Sequence, residues 1–207
     1  MTTPSRLQNF GLTIFMVLVL LTGCRSFTPA VEFYTLTPLA GLPEAYKAAG
    51  LPDTIAVGVG PLHMPKIIDR PQIVSRIGSN QIDMDEFHRW AGSVYEDFLR
   101  VVALNLSALL NTNLVAVYPW EDYFDPDYRI YMEVHQFDGR LGEYALLNMT
   151  WTVVGRDSRD ILFVRRAIIQ EPVQGANYEA FVAAKSRILA ALSREMAKAI
   201  KGIKGGN

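Results

Sequence analysis

The chain of 207 residues contains a single cysteine, Cys24. One thiol can close no disulfide and build no cysteine-ligated zinc cluster, so neither device holds the fold together. Histidine is nearly as scarce. His63, His88 and His135 are far apart, and none has a His or Cys partner at metal-ligand spacing. Neither sign of charge is in excess: 20 Lys+Arg stand against 21 Asp+Glu. A near-neutral chain offers no electrostatic footprint for nucleic acid, and no basic run suggests anionic lipid. No Gly-x-Ser-x-Gly elbow, phosphate-cradling loop, dinucleotide fingerprint or internal repeat occurs. No apolar run reaches the ~20 residues that a spanning helix needs. What is present is a hydrophobic content of 50% with three tryptophans, which argues for a packed core and against disorder.

The cysteine stands where a short apolar segment ends. Arg6 is the only charge before it, and Phe10 to Leu21 is an uninterrupted run except for Gly11 and Thr13. That order is a positive n-region followed by a signal-type h-region. Leu21-Thr22-Gly23-Cys24 resembles a bacterial lipobox, in which the cysteine is lipidated and becomes the new N-terminus. The resemblance implies a covalent diacylglycerol and an N-acyl chain (palmitate-type) on Cys24, and no other cofactor. One acyl chain binds a bilayer only marginally, at ~0.8 kcal/mol per buried methylene, whereas several chains anchor stably. Arg25 follows in place of the aspartate that retains Gram-negative lipoproteins at the inner membrane, so the expected address is the periplasmic face of the outer membrane. A thiol enzyme is then excluded. Cleavage leaves 184 residues with 19 basic against 21 acidic side chains, one domain of ordinary size.

The expected organisation is a signal peptide over 1–23, a lipidated tether over 24–31 and a single domain over 32–207. From Cys24 to a first strand near Glu32 the tether reaches at most about 28 Å, at ~3.5 Å per residue. Residues 33–36 read as a strand, and residues 37–53, with Pro38, Gly41, Pro43, Gly50 and Pro52, as a loop. Thr54 to Val59 is β-rich and closed by Gly60-Pro61. Residues 73–76 and 81–84 flank Gly78-Ser79-Asn80 as a hairpin. The spacing of Trp90, Val94, Phe98, Val101, Val102 and Leu109 predicts a helix over 87–110. A short strand at 114–117 follows. Tyr128, Ile130, Met132 and Val134 alternate with Arg129, Glu133 and His135. Ala145, Leu147, Met149, Trp151 and Val153 share one face, and a third strand spans 161–169, giving an antiparallel meander. A last amphipathic helix over 177–200 carries Phe181, Ile188, Leu189, Leu192, Met196 and Ile200 as its apolar stripe, with Lys185 off it. Asn177 is its N-cap and Gly202 its stop. The expected fold is α+β, a mixed and largely antiparallel sheet covered on one face by two long helices.

Asp83, Asp85, Glu86 and His88 are the densest group of candidate ligands. They read first as a polar hairpin end leading into a helix, whose N-terminus favours negative charge. Three prolines stiffen the segment 60–76 into an extended crossing, and Pro65, Asp69, Arg70, Pro71 and Gln72 are the candidate partner-contact residues there. A second candidate is the aromatic loop with Tyr118, Trp120, Tyr123 and Phe124, which serves either as an interface anchor or as cover for a sheet end. No residue set reads as catalytic or metal-binding.

Residues 57–76 carry a specific resemblance. Val59-Gly60-Pro61, Pro65, Asp69-Arg70-Pro71-Gln72-Ile73-Val74 and Arg76, followed by Arg89-Trp90, are similar to the pattern of the PqiC-like family. These are lipoproteins described as auxiliary components of ABC-type transport or of membrane-integrity transporters. Phe33-Tyr34-Thr35-Leu36, Asp127-Tyr128-Arg129-Ile130, Phe137, Trp151 and the C-terminal helix match as well, so the resemblance spans the mature chain. Lys66-Ile67-Ile68 departs from it, where a small residue and an aromatic are expected.

The resemblance implies lipid transport between membranes, with an MCE-domain tunnel protein and an inner-membrane transporter component as partners. The lipoprotein would be a periplasmic dock or adaptor at the outer membrane, acting by contact and not as an enzyme, with no nucleic acid partner. A homo-oligomer, for example a ring seated on a ring-shaped tunnel, stays open, as does direct lipid binding. The rival readings are a stand-alone structural or envelope-assembly lipoprotein, and an envelope hydrolase, which would need a cleft with paired acids or a metal.

Overall fold

Alternating apolar and polar side chains fold residues 128–172 as the pattern requires. Strands β6 (Tyr128–Arg140), β7 (Tyr144–Gly155) and β8 (Ile161–Pro172) form an antiparallel meander. Ile130, Met132 and Val134 face inward beside Ala145, Leu147, Met149, Trp151 and Val153, all buried. In the computed structural model, residues 29–39, 55–157 and 160–205 are described. Cys24, Arg25 and residues 40–54 of the predicted loop lie outside them. The described residues from Val31 onward form one compact unit.

Two further strands join the meander in parallel, β2 (Val57–His63) against β6 and β5 (Val115–Val117) against β2. The order is β5-β2-β6-β7-β8. β2 does not end at Gly60-Pro61; it continues to His63 through a register shift after Val59. A separate small sheet holds β1 (Glu32–Tyr34), β3 (Gln72–Arg76) and β4 (Ile82–Trp90) in the order β1-β4-β3. β1 runs parallel to the end of β4, and β3 antiparallel to it.

Those neighbours correct one boundary. Residues 87–90 do not begin a helix; they extend β4, because β1 pairs with His88 to Trp90 and β3 pairs with Arg89. Helix α1 (Val94–Leu110) starts later, where the Ser93 hydroxyl accepts from the Glu96 N–H at 3.2 Å. Glu96 and Asp97 therefore occupy its first turn, and Asp85 and Glu86 are strand residues. Helix α2 (Tyr178–Gly205) is capped as expected, Asn177 Oδ1 accepting from the Ala180 N–H at 2.9 Å. Gly202 does not stop it. A glycine ends a helix when it takes positive φ, and Gly202 does not.

Both helices pack on the inward face of the large sheet and on each other. The six stripe residues of α2 are completely buried. The chain after β1 is laced between the helices. Asp97 Oδ2 accepts from the Leu36 N–H (2.6 Å) and the Thr35 hydroxyl (3.0 Å), Ser186 accepts from the Thr37 N–H (3.1 Å), and buried Asn105 accepts from the Leu39 N–H (2.8 Å) while donating to Ser193 (3.2 Å). The Asn105–Ser193 bond satisfies two buried side chains that burial would otherwise strand.

Lys185 overturns its expected place off the stripe: it is 1% exposed. Its ammonium donates to the Phe137 carbonyl at 2.8 Å and lies 4.2 Å from the Phe137 ring and 4.8 Å from the Phe181 ring. Nearby Asp138 is itself buried, held by Arg76 Nε at 2.8 Å and Gln136 Nε2 at 2.7 Å. Burial pulls the lysine pKa down from 10.5 to about 7, and Asp138 resists that pull. An unfolded lysine keeps its proton up to about pH 10, whereas the folded one releases it near 7. The unfolded state therefore binds more protons across that window, and stability rises with pH through it. Lys185→Met should lack this rise. Urea midpoints from about pH 6 to about pH 9 should climb more steeply in the wild type than in the variant; equal slopes would contradict the buried ammonium.

Candidate functional site

A cleft of about 730 Å³ opens where the small sheet meets the start of α2. The parallel register sets Glu32 beside His88 and Phe33 beside Arg89. The Tyr178 ring stacks on His88 with centroids 4.0 Å apart and planes at 16°, and Tyr34 stands 6.0 Å from His88. The Tyr34 hydroxyl donates to Glu32 Oε2. That same oxygen is 3.9 Å from His88 Nε2, while Asp85 Oδ2 is 3.2 Å from His88 Nδ1, an ion-pair distance without hydrogen-bond geometry. A carboxylate thus flanks each imidazole nitrogen.

Burial raises the Asp85 pKa, but the Phe87 N–H (2.7 Å) and His88 outweigh it and hold the carboxyl below its usual range. Burial, then Asp85 and Asp83, push the Tyr178 phenol up to about 12. Burial and the Glu32 carboxylate raise Tyr34 as well. Both phenols are neutral rings at physiological pH. General acid catalysis by a carboxyl needs one kept protonated by burial. Asp85 is held the other way, and Glu32 and Glu179 are exposed. Among the described residues no group of three or more His, Cys, Asp or Glu is placed to hold a metal.

The sequence grouped Asp83, Asp85, Glu86 and His88. The structure separates Glu86 from that group: it accepts from Gln72 Nε2 at 3.0 Å and from Arg89 at 2.6 Å. The Gln72 bond, together with Arg89, keeps its carboxyl low. Glu32, Tyr34 and Tyr178 come to the cleft from distant chain positions, and the sequence held no signal for them beyond the Phe33-Tyr34 strand.

The partner-contact residues divide. Arg70 Nε donates to Gln72 Oε1 at 3.1 Å and its guanidinium rests on Met84 Sδ. Arg70 and Gln72 therefore tie the crossing to β4. Asp69 and Pro71 are exposed and Pro65 is half-buried. A tight turn on the Pro65 carbonyl, which accepts from the Ile68 and Asp69 N–H groups, buries Ile68 and leaves Ile67 at the surface.

The aromatic loop divides too. Tyr118 and Phe124 pack edge-on against Trp120, with centroids at 5.5 and 6.3 Å. Trp120 lies on Gly58 of β2, so close that a Cβ there would sit 2.7 Å from the indole. Trp120 covers the sheet; Tyr118 is partly exposed and Tyr123, at 88% exposure, projects into solvent. Strand β8 is a surface that the sequence reading did not single out. Among the described residues it pairs with β7 alone, and it exposes Ile161, Leu162, Val164 and Ile168.

Comparison with known proteins adds a family and a fold. The sequence profile of a family described as "ABC-type transport auxiliary lipoprotein component" matches residues 34–197. No curated protein matches the sequence. The crystal structure of an uncharacterised protein is similar over 83% of this chain and 99% of its own, with a TM-score of 0.67 and 16% identity. A protein from Xanthomonas campestris is similar over 84% of this chain and 99% of its own, with a TM-score of 0.62 and 16% identity. Among the described residues no helix is long and apolar enough to cross a membrane.

The two aromatic roles are separable. Trp120→Ala should cost about 2 kcal/mol by opening the cover over Gly58, whereas Tyr123→Ala should stay within about 0.5 kcal/mol of wild type, both read by urea denaturation. Equal costs would place both side chains in one role.

Proposed function

The chain belongs to the PqiC-like family of ABC-type transport auxiliary lipoprotein components, and on that footing we propose that it is the outer-membrane lipoprotein of an MCE-type lipid transport system. It is held by acyl chains on Cys24 and docks the periplasmic tunnel protein by contact. The observation that carries this reading is the position of the family match, which begins at Tyr34, ten residues after Cys24. A domain so tethered begins, at Glu32, within about 28 Å of Cys24, at ~3.5 Å per residue. It is then confined to the layer where a tunnel protein would end. The Asp85 carboxyl beside the cleft, held below its usual range by the Phe87 N–H and His88, agrees with a binding role.

The acylated full chain should co-purify from membranes with an MCE-domain protein of the same organism. An acylated protein that associates with no transporter component would favour a stand-alone envelope lipoprotein. Cys24→Ala should move the folded domain from the membrane fraction to the soluble periplasmic fraction without changing its melting temperature. Arg25→Asp should shift the anchored protein to inner-membrane density. Full membrane retention of Cys24→Ala would remove the anchor from this account.

A further inference from the structure

We infer that the free edge of β8 is a docking site for an extended segment of another protein. The segment adds as a further strand, with a carboxylate facing Arg166 between aliphatic side chains facing Val164 and Ile168. β8 ends the order β5-β2-β6-β7-β8, and among the described residues nothing pairs with its far side. The site is a property of this sheet edge alone and holds with or without the transport role.

A row of unpaired N–H and C=O groups is a template for another strand, so proteins keep sheet edges short, bulged or covered. The other edges here are short: β5 and β1 have three residues each and β3 has five. β8 has 12. Its register with β7 runs without a shift from Phe163 to Pro172, so no bulge turns that stretch away. Pro172 falls only at the last position.

The ladder sorts the side chains of β8. Arg165 and Ala167 share the inner face with Trp151 and Met149, their register partners, and Arg165 Nε lies 3.4 Å from Glu195 of α2. Val164, Arg166 and Ile168 face outward, opposite Thr152, Thr150 and Asn148. Val164 is 57% and Ile168 64% exposed. Aliphatic side chains at alternate positions of an open edge are what cross-strand partners cover.

Arg166 supplies the charge. Among the described residues it donates to Asn148 Oδ1 at 3.1 Å and forms no ion pair. Glu133 faces the same way but stands two strands off, across Thr150, roughly 10 Å at ~4.8 Å per strand. A carboxylate on an added strand would sit directly opposite, with about 5 Å between Cβ atoms. It would take a charge-assisted hydrogen bond from the guanidinium.

A second copy of this chain fits the edge less well. The outward positions are Val164, Arg166, Ile168, Gln170 and Pro172, with no acid among them. Two copies pairing antiparallel about a two-fold axis keep outer face with outer face, because a slip of one residue turns every side chain over. Each such register sets Arg166 against an apolar residue, Gln170 or another Arg166. A strand reading aliphatic-x-acid-x-aliphatic leaves no such mismatch.

The probe is a capped, fluorophore-labelled peptide, Ser-Thr-Val-Thr-Glu-Thr-Ile-Thr-Ser. A second peptide has lysine for the glutamate, and a third has proline for the two threonines beside it, which removes backbone donors. Each is titrated with the acylated full chain in a non-ionic detergent and followed by anisotropy. The acidic peptide should bind saturably, the lysine peptide about tenfold more weakly, and the proline peptide not at all; tenfold is the loss of one charge-assisted hydrogen bond. Arg166→Glu should reverse the order of the first two, and Ile168→Thr should weaken both several-fold. Ile77→Thr, an exposed apolar position between β3 and β4, should change nothing. At saturation, amide hydrogen exchange should slow within residues 161–172. If Arg166→Glu alters folding, Arg166→Gln is the second variant and should bind the acidic and lysine peptides alike.

Binding of no peptide is what a charge that only guards the edge predicts, and it overturns the site. So do equal affinities of the wild type for the acidic and lysine peptides, an unchanged order in Arg166→Glu, and binding that leaves the β8 amides unprotected. Self-association of the free protein that itself protects those amides assigns the edge to a second copy and overturns the acidic partner.

Discussion

One ammonium group, on Lys185, lies where the large sheet, the small sheet and the C-terminal helix meet. It donates to the Phe137 carbonyl and sits against the Phe137 and Phe181 rings. Asp138, next along β6, turns to Arg76 of β3 instead. The small sheet is thereby fixed to the large one by an ion pair, and the helix by a hydrogen bond from a neighbouring group. Burying a lysine this deeply is unfavourable in itself. The carbonyl, the two rings and the nearby carboxylate offset only part of that cost, since burial still lowers the lysine pKa, and these contacts favour one rotation and one depth of α2.

That rotation sets the cleft. Tyr178 precedes Lys185 by about two helical turns and shares its face, so seating one seats the other. With α2 in place, Tyr178 stacks on His88, and the parallel pairing of β1 with β4 brings Glu32 to the opposite nitrogen. β1 is also the first strand after the proposed lipid anchor. The cleft therefore includes residues of the first strand of the described domain.

The surface segments that looked most available are largely committed to structure. Arg70 and Gln72 serve β4, and Trp120 serves β2. What stays exposed is a different set: Tyr123, Ile67 and the apolar side chains of β8. The distinction is physical. Charged and aromatic residues in a Pro-rich crossing are attractive as contacts, but they are also the groups that satisfy a loop against the sheet it crosses.

The meander, the stripe of α2 and its Asn177 cap were legible in the sequence because they rest on local periodicity and capping chemistry, which each residue expresses where it stands. So was the family resemblance of residues 57–76. The start of α1 was not, because residues 87–90 take their state from β1 and β3, which approach from elsewhere in the chain. Lys185 was not, because its burial depends on a carbonyl, two rings and a carboxylate that only packing assembles. The cleft was half legible. Asp85 and His88 were visible as a cluster, while Glu32, Tyr34 and Tyr178 joined it only when parallel pairing and helix docking brought three separate segments within hydrogen-bonding and stacking distance.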